Sequence, residues 1–202
     1  MALAELGKDA EALMVLDEAR RITRELEAWR FDSENLTYMA EIYLGAGDVG
    51  AARSALETAL DIARRAGMAY FGAITLATFA RSEPDPQSRR KILDEIEELL
   101  SSFAVSHNHW LGRRQLIELG WELRDPDMID GQASALESFC QREPSPLMDA
   151  VVGRGRALAR ALRGERSPDL AEEIARLKSI AATSGSALLK VGLEECENAM
   201  SR

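Results

Sequence analysis

From Asn35 to Leu60 the chain reads NLTYMAEIYLGAGDVGAARSALETAL, and this stretch constrains the fold more than any other. Leu36, Met39, Ala40 and Tyr43 recur at i, i+3, i+4 and i+7, which gathers them on one face of a helix. Gly47 follows, where a residue without a Cβ lets a helix stop and the chain turn. A second helix then carries Ala52, Leu56, Ala59 and Ile62 back toward the first. Small side chains at Ala40, Ala52 and Ala59 let the two backbones approach, while Leu56 and Tyr43 fill the seam. The predicted unit is a hairpin of two antiparallel helices.

The hairpin recurs at a spacing of 40 residues. Gly7, Ala12, Leu16 and Ala19 return as Gly47, Ala52, Leu56 and Ala59. The last three return as Ile92, Ile96 and Leu99, then as Gln132, Leu136 and Phe139. Asp85-Pro86 comes back as Asp125-Pro126, and Ser167-Pro168 follows later. Each of these dipeptides marks a helix start, because Asp or Ser accepts from free N–H groups and proline at the first helical position loses no hydrogen bond. Such periodicity describes stacked hairpins, each burying its apolar face only against its neighbours.

In spacing, Ala40, Tyr43, Gly47, Ala52, Leu56 and Ala59 resemble the tetratricopeptide (TPR) repeat. Leu36 suits the pattern too, but Arg64 stands where the closing proline belongs. The clear repeat covers residues 7–67, and degenerate copies fill 68–202. Repeats near 40 residues rather than 34 look like the TPR-like arrays of bacterial signalling ATPases, large transcriptional activators and multidomain nucleotide cyclases. The resemblance implies an all-α fold, an α-α superhelix of stacked antiparallel helical hairpins (a TPR-like solenoid), spanning 1–202 as a single domain. It implies no catalytic role.

Composition agrees with helices packed through small side chains. Hydrophobic residues make up 46% of the chain and aromatics only 5%, and strand and hairpin signals are lacking. No apolar run approaches the ~20 residues that span a bilayer, and no secretory signal opens the chain. The net charge of −9 disfavours general binding to nucleic acid or to an anionic membrane. Cys140 and Cys196 fall in different predicted helices without metal-ligand spacing. We expect buried thiols in a reducing, cytoplasmic setting.

In chain order, the pattern predicts a helix end at Ala2–Leu6, then helices over Ala10–Trp29, from Asp32 and Ser33 to Leu44, and over Val49–Ala66. An apolar segment, Met68–Arg81, is expected in mid-stack, surrounded by neighbours. Further helices are expected over Ser88–Phe103, Ser106–Arg124, Pro126–Arg142, Pro146–Arg163, Pro168–Thr183 and Ala187–Met200. That gives about ten helices, joined by loops of the short kind that place neighbours antiparallel. Because the chain opens inside a repeat, we expect a fragment of a longer protein. Leu13, Leu16, Ala19 and Ile22 would then lack a complete covering hairpin, and a weak homodimer through this amino-terminal end is the expected remedy.

Catalytic and metal sites are hard to find. His107 and His109 lie two apart near a helix start, point in different directions and have no nearby Cys or His to complete a metal shell, so they are expected to be exposed or capping residues. Asp94-Glu95-Ile96-Glu97-Glu98 reads as a solvated helix face rather than an acid–base pair. Gly153 and Gly155 follow no strand, so they are assigned to close helix contact rather than to a phosphate loop. Neither an enzymatic role, a cofactor nor a metal is expected.

One constellation is a candidate binding surface. In the helix Ser106–Arg124, Leu116, Leu119 and Leu123 mark the main packing face, and Trp110, Ile117 and Trp121 another, flanked by Arg113, Arg114 and Arg124. Arg156, Arg160 and Arg163 follow at i, i+4 and i+7 on a later first helix of a hairpin. First helices line the concave surface of TPR-like stacks. Trp110, Arg114, Trp121, Arg124, Arg156 and Arg160 are therefore candidates to hold carboxylates or phosphates of a partner by bidentate bonds and stacking. The competing assignment puts the tryptophans in the core and the arginines against acidic neighbours. Function then divides between a protein or peptide interaction scaffold, with an acidic segment the partner such a surface would suit, within a larger signalling or transcription-regulating protein, and a small-molecule sensor that passes a change to an output domain.

Overall fold

The protein is described by a computed structural model that covers residues 2–102 and 104–200. It is all-α, 82% helical and without strands among the described residues. The order is α1 (Ala2–Glu5), α2 (Asp9–Glu25), α3 (Trp29–Gly45), α4 (Val49–Ala66), α5 (Gly72–Ser82) and α6 (Pro86–Ser102). It continues with α7 (Ser106–Glu122), α8 (Pro126–Cys140), α9 (Pro146–Leu162), α10 (Pro168–Ser184), α11 (Ala187–Lys190) and α12 (Leu193–Met200). Within each unit, helices pack on their neighbours in sequence order, the packing of an α-helical solenoid. The chain divides into two compact units. One holds Lys8–Gln115 and the other holds Ala4–Gly7 with Leu116 onward, so the boundary falls inside α7.

In the first unit the seam between α3 and α4 is the one drawn from sequence. Ala40, Ala52 and Leu56 form one buried cluster with Tyr43 and Leu44 against it, and Leu36, Ala59 and Ile62 form the next. Leu56 is wholly buried, and such a side chain contributes about 1.5–3 kcal/mol relative to exposure. Asp48 caps α4 by accepting from the Ala51 N–H at 2.9 Å. The α5 segment is buried nearly throughout, as an apolar helix with several neighbours must be.

The main differences from the sequence pattern begin with α2, which ends at Glu25 rather than Trp29. Asp32 and Ser33 do not open α3, which begins at Trp29; both are buried within it. Asp32 accepts from Arg20 and Arg24 of α2, and the Ser33 hydroxyl donates to the Ala59 carbonyl of α4. Their polar groups serve tertiary contacts instead of the helix end. The apolar run starting at Met68 spends its first residues in a turn, and α5 begins at Gly72. α6 starts at Pro86 rather than Ser88, with Asp85 accepting from the Ser88 N–H at 2.7 Å; its expected end at Phe103 lies outside the described residues. Finally, the terminal helix is broken at Val191-Gly192 into α11 and α12.

The second unit is organised by α7, α8, α9 and α10, with α11 and α12 packed on α9 and α10. Asp125 and Ser167 cap α8 and α10 as their dipeptides suggest. Gly155 sits where a Cβ would meet Ala133 at 3.4 Å and Ile117 at 3.5 Å, and one on Gly153 would meet Glu173 at 3.2 Å. Both glycines therefore serve close helix contact. Every residue of α7 from Leu111 to Trp121 is buried, so both of its predicted faces pack. Leu123 is the exception, since it is exposed rather than part of the packing face.

Candidate functional site

The predicted binding residues separate between the two units. Trp110 and Arg114 belong to the first; Trp121, Arg124, Arg156 and Arg160 belong to the second.

In the first unit Trp110 packs against the cluster of Phe71, Ile74 and Leu111. Arg114 is buried and donates to Glu41 Oε2 of α3 at 2.8 Å. Glu34, Tyr38 and Glu41 recur at i, i+4 and i+7, so α3 turns one polar face toward α5 and α7. Tyr70 donates to Glu34 at 3.1 Å, and Arg81 of α5 donates to Gln115 at 2.6 Å. Burial, with the Glu34 and Glu41 carboxylates nearby, pushes the Tyr38 phenol well above its ordinary range. Thr37 and Thr75 share a hydrogen bond at 2.9 Å across α3 and α5. Glu41 Oε1 and Gln115 Nε2 are buried and have no hydrogen-bond partner among the described residues.

His107 is half-buried, its ring nitrogen 2.6 Å from the Tyr70 carbonyl and its ring against Tyr70 and Phe71. His109 is half-buried too, so neither histidine is the exposed or capping residue that the sequence suggests. Among the described residues no three His, Cys, Asp or Glu side chains gather as metal ligands.

In the second unit Arg124 lies 4.4 Å from the Trp121 ring centroid and donates to Glu195 of α12 at 2.5 Å. The indole itself is covered by the chain's own carboxy-terminal segment, because Gly192 sits directly against it. Arg156 makes a fork with Glu137 of α8 at 2.9 and 2.5 Å. Arg160 does the same with Glu165 at 2.9 and 2.5 Å, and that bond with a second from Ser167 holds the Glu165 carboxyl at about 2. Every arginine of the predicted set thus has a carboxylate partner within the chain. An incoming anion would have to exchange for that partner.

Beside Arg156 runs a groove of about 390 Å³ between α8 and α9, floored by Met148, Val152 and Gly153 and reached by Cys140. Both thiols are free; Cys196 is buried and Cys140 half-buried.

Most of the exposed large apolar side chains of the first unit lie elsewhere. Val15, Ile22 and Leu26 lie along one side of α2, with Met14 beside them, and Trp29 and Phe31 stand at the start of α3. Leu16 is buried, but Ile22 is not.

The polar centre that sequence reasoning missed is Arg154 with Glu118, both buried in the second unit. A signal for it exists: Arg154 has Ala150, Val151, Ala157 and Leu158 at i−4, i−3, i+3 and i+4, an apolar setting in which an arginine needs a buried acid. In comparisons with known proteins, no family model, curated protein or solved structure matches the chain.

Proposed function

We propose that this chain is a non-catalytic protein–protein interaction scaffold of TPR-like kind, acting in the cytoplasm as a regulatory region of a larger bacterial signalling or transcription-regulating protein. The observation that carries this reading is the exposed apolar side of α2, in a chain whose candidate arginines are already held in ion pairs. Exposed aliphatic residues aligned on one helix are what a partner surface requires. None of the described helices is long and apolar enough to cross a membrane. The test is a displayed peptide library selected against the full chain, with hydrogen exchange locating each bound segment. Saturable binding of a protein segment supports the scaffold; failure of every segment to bind overturns it.

A sensor is the second reading, favoured by Glu41 Oε1 and Gln115 Nε2, a buried acceptor and a buried donor without partners in the first unit. Such groups are what a polar metabolite would satisfy. A thermal-shift screen of metabolites, repeated with Gln115→Leu, separates this reading from the first.

A further inference from the structure

The groove between α8 and α9 is used by neither reading of the function. Its volume of about 390 Å³ falls within the ~300–1,000 Å³ of small-molecule sites, and its walls belong to one compact unit. Met148 and Val152, one turn apart on α9, are both buried and form its floor. At one end Arg156 of α9 forks onto Glu137 of α8. At the other stand Cys140, the last residue of α8, and Asp149, in the first turn of α9. Burial raises the Cys140 thiol and the Asp149 carboxylate raises it further, so the two groups are close. Asp149 and Arg156 are seven positions apart, about 10 Å along the helix at ~1.5 Å per residue.

Charge narrows the ligand. Glu137 and Arg156 neutralise each other. Asp149 is exposed, and its carboxylate makes no hydrogen bond or ion pair among the described residues. Arg142 and Glu143 of the connecting loop do not line the groove. What remains is an apolar floor with one unbalanced negative charge at its end. An apolar floor alone takes any aliphatic molecule; the carboxylate repels anions and favours a cation that carries an apolar body.

We infer that the α8–α9 groove binds a small aliphatic primary amine, its ammonium on the Asp149 carboxylate and its chain along Met148 and Val152. A hexyl chain fits the length of that floor. The inference goes beyond the scaffold reading, which rests on α2, and neither falls with the other.

The test follows the full chain by NMR, with carbon-13 in its methionine methyl groups, while n-hexylamine is added at neutral pH. The Met148 signal, identified by its loss in Met148→Leu, should shift saturably. Hexanol should bind about threefold more weakly, the worth of one exposed ion pair, and hexanoate should give no saturable shift. Asp149→Asn, at an exposed position, should bring hexylamine down to the level of hexanol. A benzylthio group disulfide-bonded to Cys140 should obstruct the groove and abolish the shift. Absence of a saturable shift at Met148, equal binding of hexylamine and hexanol, or an amine shift that survives Asp149→Asn or the blocked thiol overturns the inference. So does tighter binding of Nα-acetyl-lysine methylamide than of hexylamine, because the lysine of a partner protein would then be the occupant. None of these outcomes touches the peptide selection that tests the scaffold.

Discussion

Arg154 of α9 donates to both carboxylate oxygens of Glu118 on α7, at 2.7 and 2.9 Å, and its third nitrogen donates to the Val191 carbonyl at 2.9 Å. Arg154 is only 1% exposed. One guanidinium therefore ties α7, α9 and the carboxy-terminal segment together, and the Val191 bond is made where the last helix breaks. A buried pair gains little over an apolar pair of similar volume, because desolvation offsets most of the attraction. Breaking it from one side is another matter, since the remaining charge stays buried.

Arg154→Met should therefore destabilise the protein by about 3–5 kcal/mol, and Glu118→Leu by a similar amount. The double replacement should recover most of that loss. Urea denaturation of the two single variants and the double variant closes the cycle. Additive losses would mean that the two side chains do not depend on each other.

Gly192 gives a second prediction. Its φ is +76°, and a Cβ there would stand 2.8 Å from Leu158 Cδ2 and 2.9 Å from Trp121 Cε2. Gly192→Ala combines left-handed backbone with an overpacked contact, for a loss of about 2–4 kcal/mol. Gly164 has a similar φ of +85° but open space around it, so Gly164→Ala should lose only about 1–2 kcal/mol. Thermal melts give the ranking. Trp121 emission should shift in the first variant and stay unchanged in the second.

The two thiols should react differently. Burial raises both above the ordinary cysteine range, helped at Cys140 by the Asp149 carboxylate and at Cys196 by Glu195. Thiolate is scarce at neutral pH in either, so access decides the rate. Cys140 opens to the α8–α9 groove and should be modified by a disulfide reagent in the folded protein, faster as pH rises. Cys196 should wait for unfolding. Cys140→Ser should abolish the native-state reaction; a reaction that survives it would place Cys196 at the surface.

Much of the architecture was legible because it is written in periodicity. The seam of Leu36, Ala40, Leu56 and Ala59 follows from helical spacing, and the starts at Asp125-Pro126 and Ser167-Pro168 follow from capping chemistry. Tertiary uses of polar groups were not legible. Asp32 and Ser33 have the chemistry of a helix cap, yet their partners lie on α2 and α4, and no local pattern announces them. The break at Gly192 is set by Trp121 and Leu158, far away in sequence. The arginine surface was drawn from spacing and from the resemblance to TPR-like stacks; spacing places Arg156 and Arg160 on one helix but says nothing of Glu137 and Glu165. The open side of α2 was half legible, since the sequence marked Leu16 and Ile22 alike and only the fold separates the covered residue from the bare one.

The last prediction concerns acid. Burial lowers the His109 pKa below the ordinary histidine value, and the Arg113 guanidinium lowers it further against a weaker opposing pull from Glu97. In the unfolded chain His109 takes up a proton as pH falls through about 6.5. The folded protein holds it neutral to lower pH, so the unfolded state binds more protons across that window. Stability must then decrease as pH falls from about 7 toward 5.5, and level off once the folded state is protonated too. The depressed carboxyls act in the same direction but lower down. Glu83, held down by the Asp85 N–H and then by Arg53, and Glu173, held down by Arg176, lose their contribution only as pH falls below the ordinary glutamate range. Urea midpoints measured at pH 7.5, 6.5 and 5.5 isolate the histidine window. His109→Gln should flatten the slope between them while leaving the loss below pH 4.5 in place, and an unchanged slope would assign the proton uptake to another group.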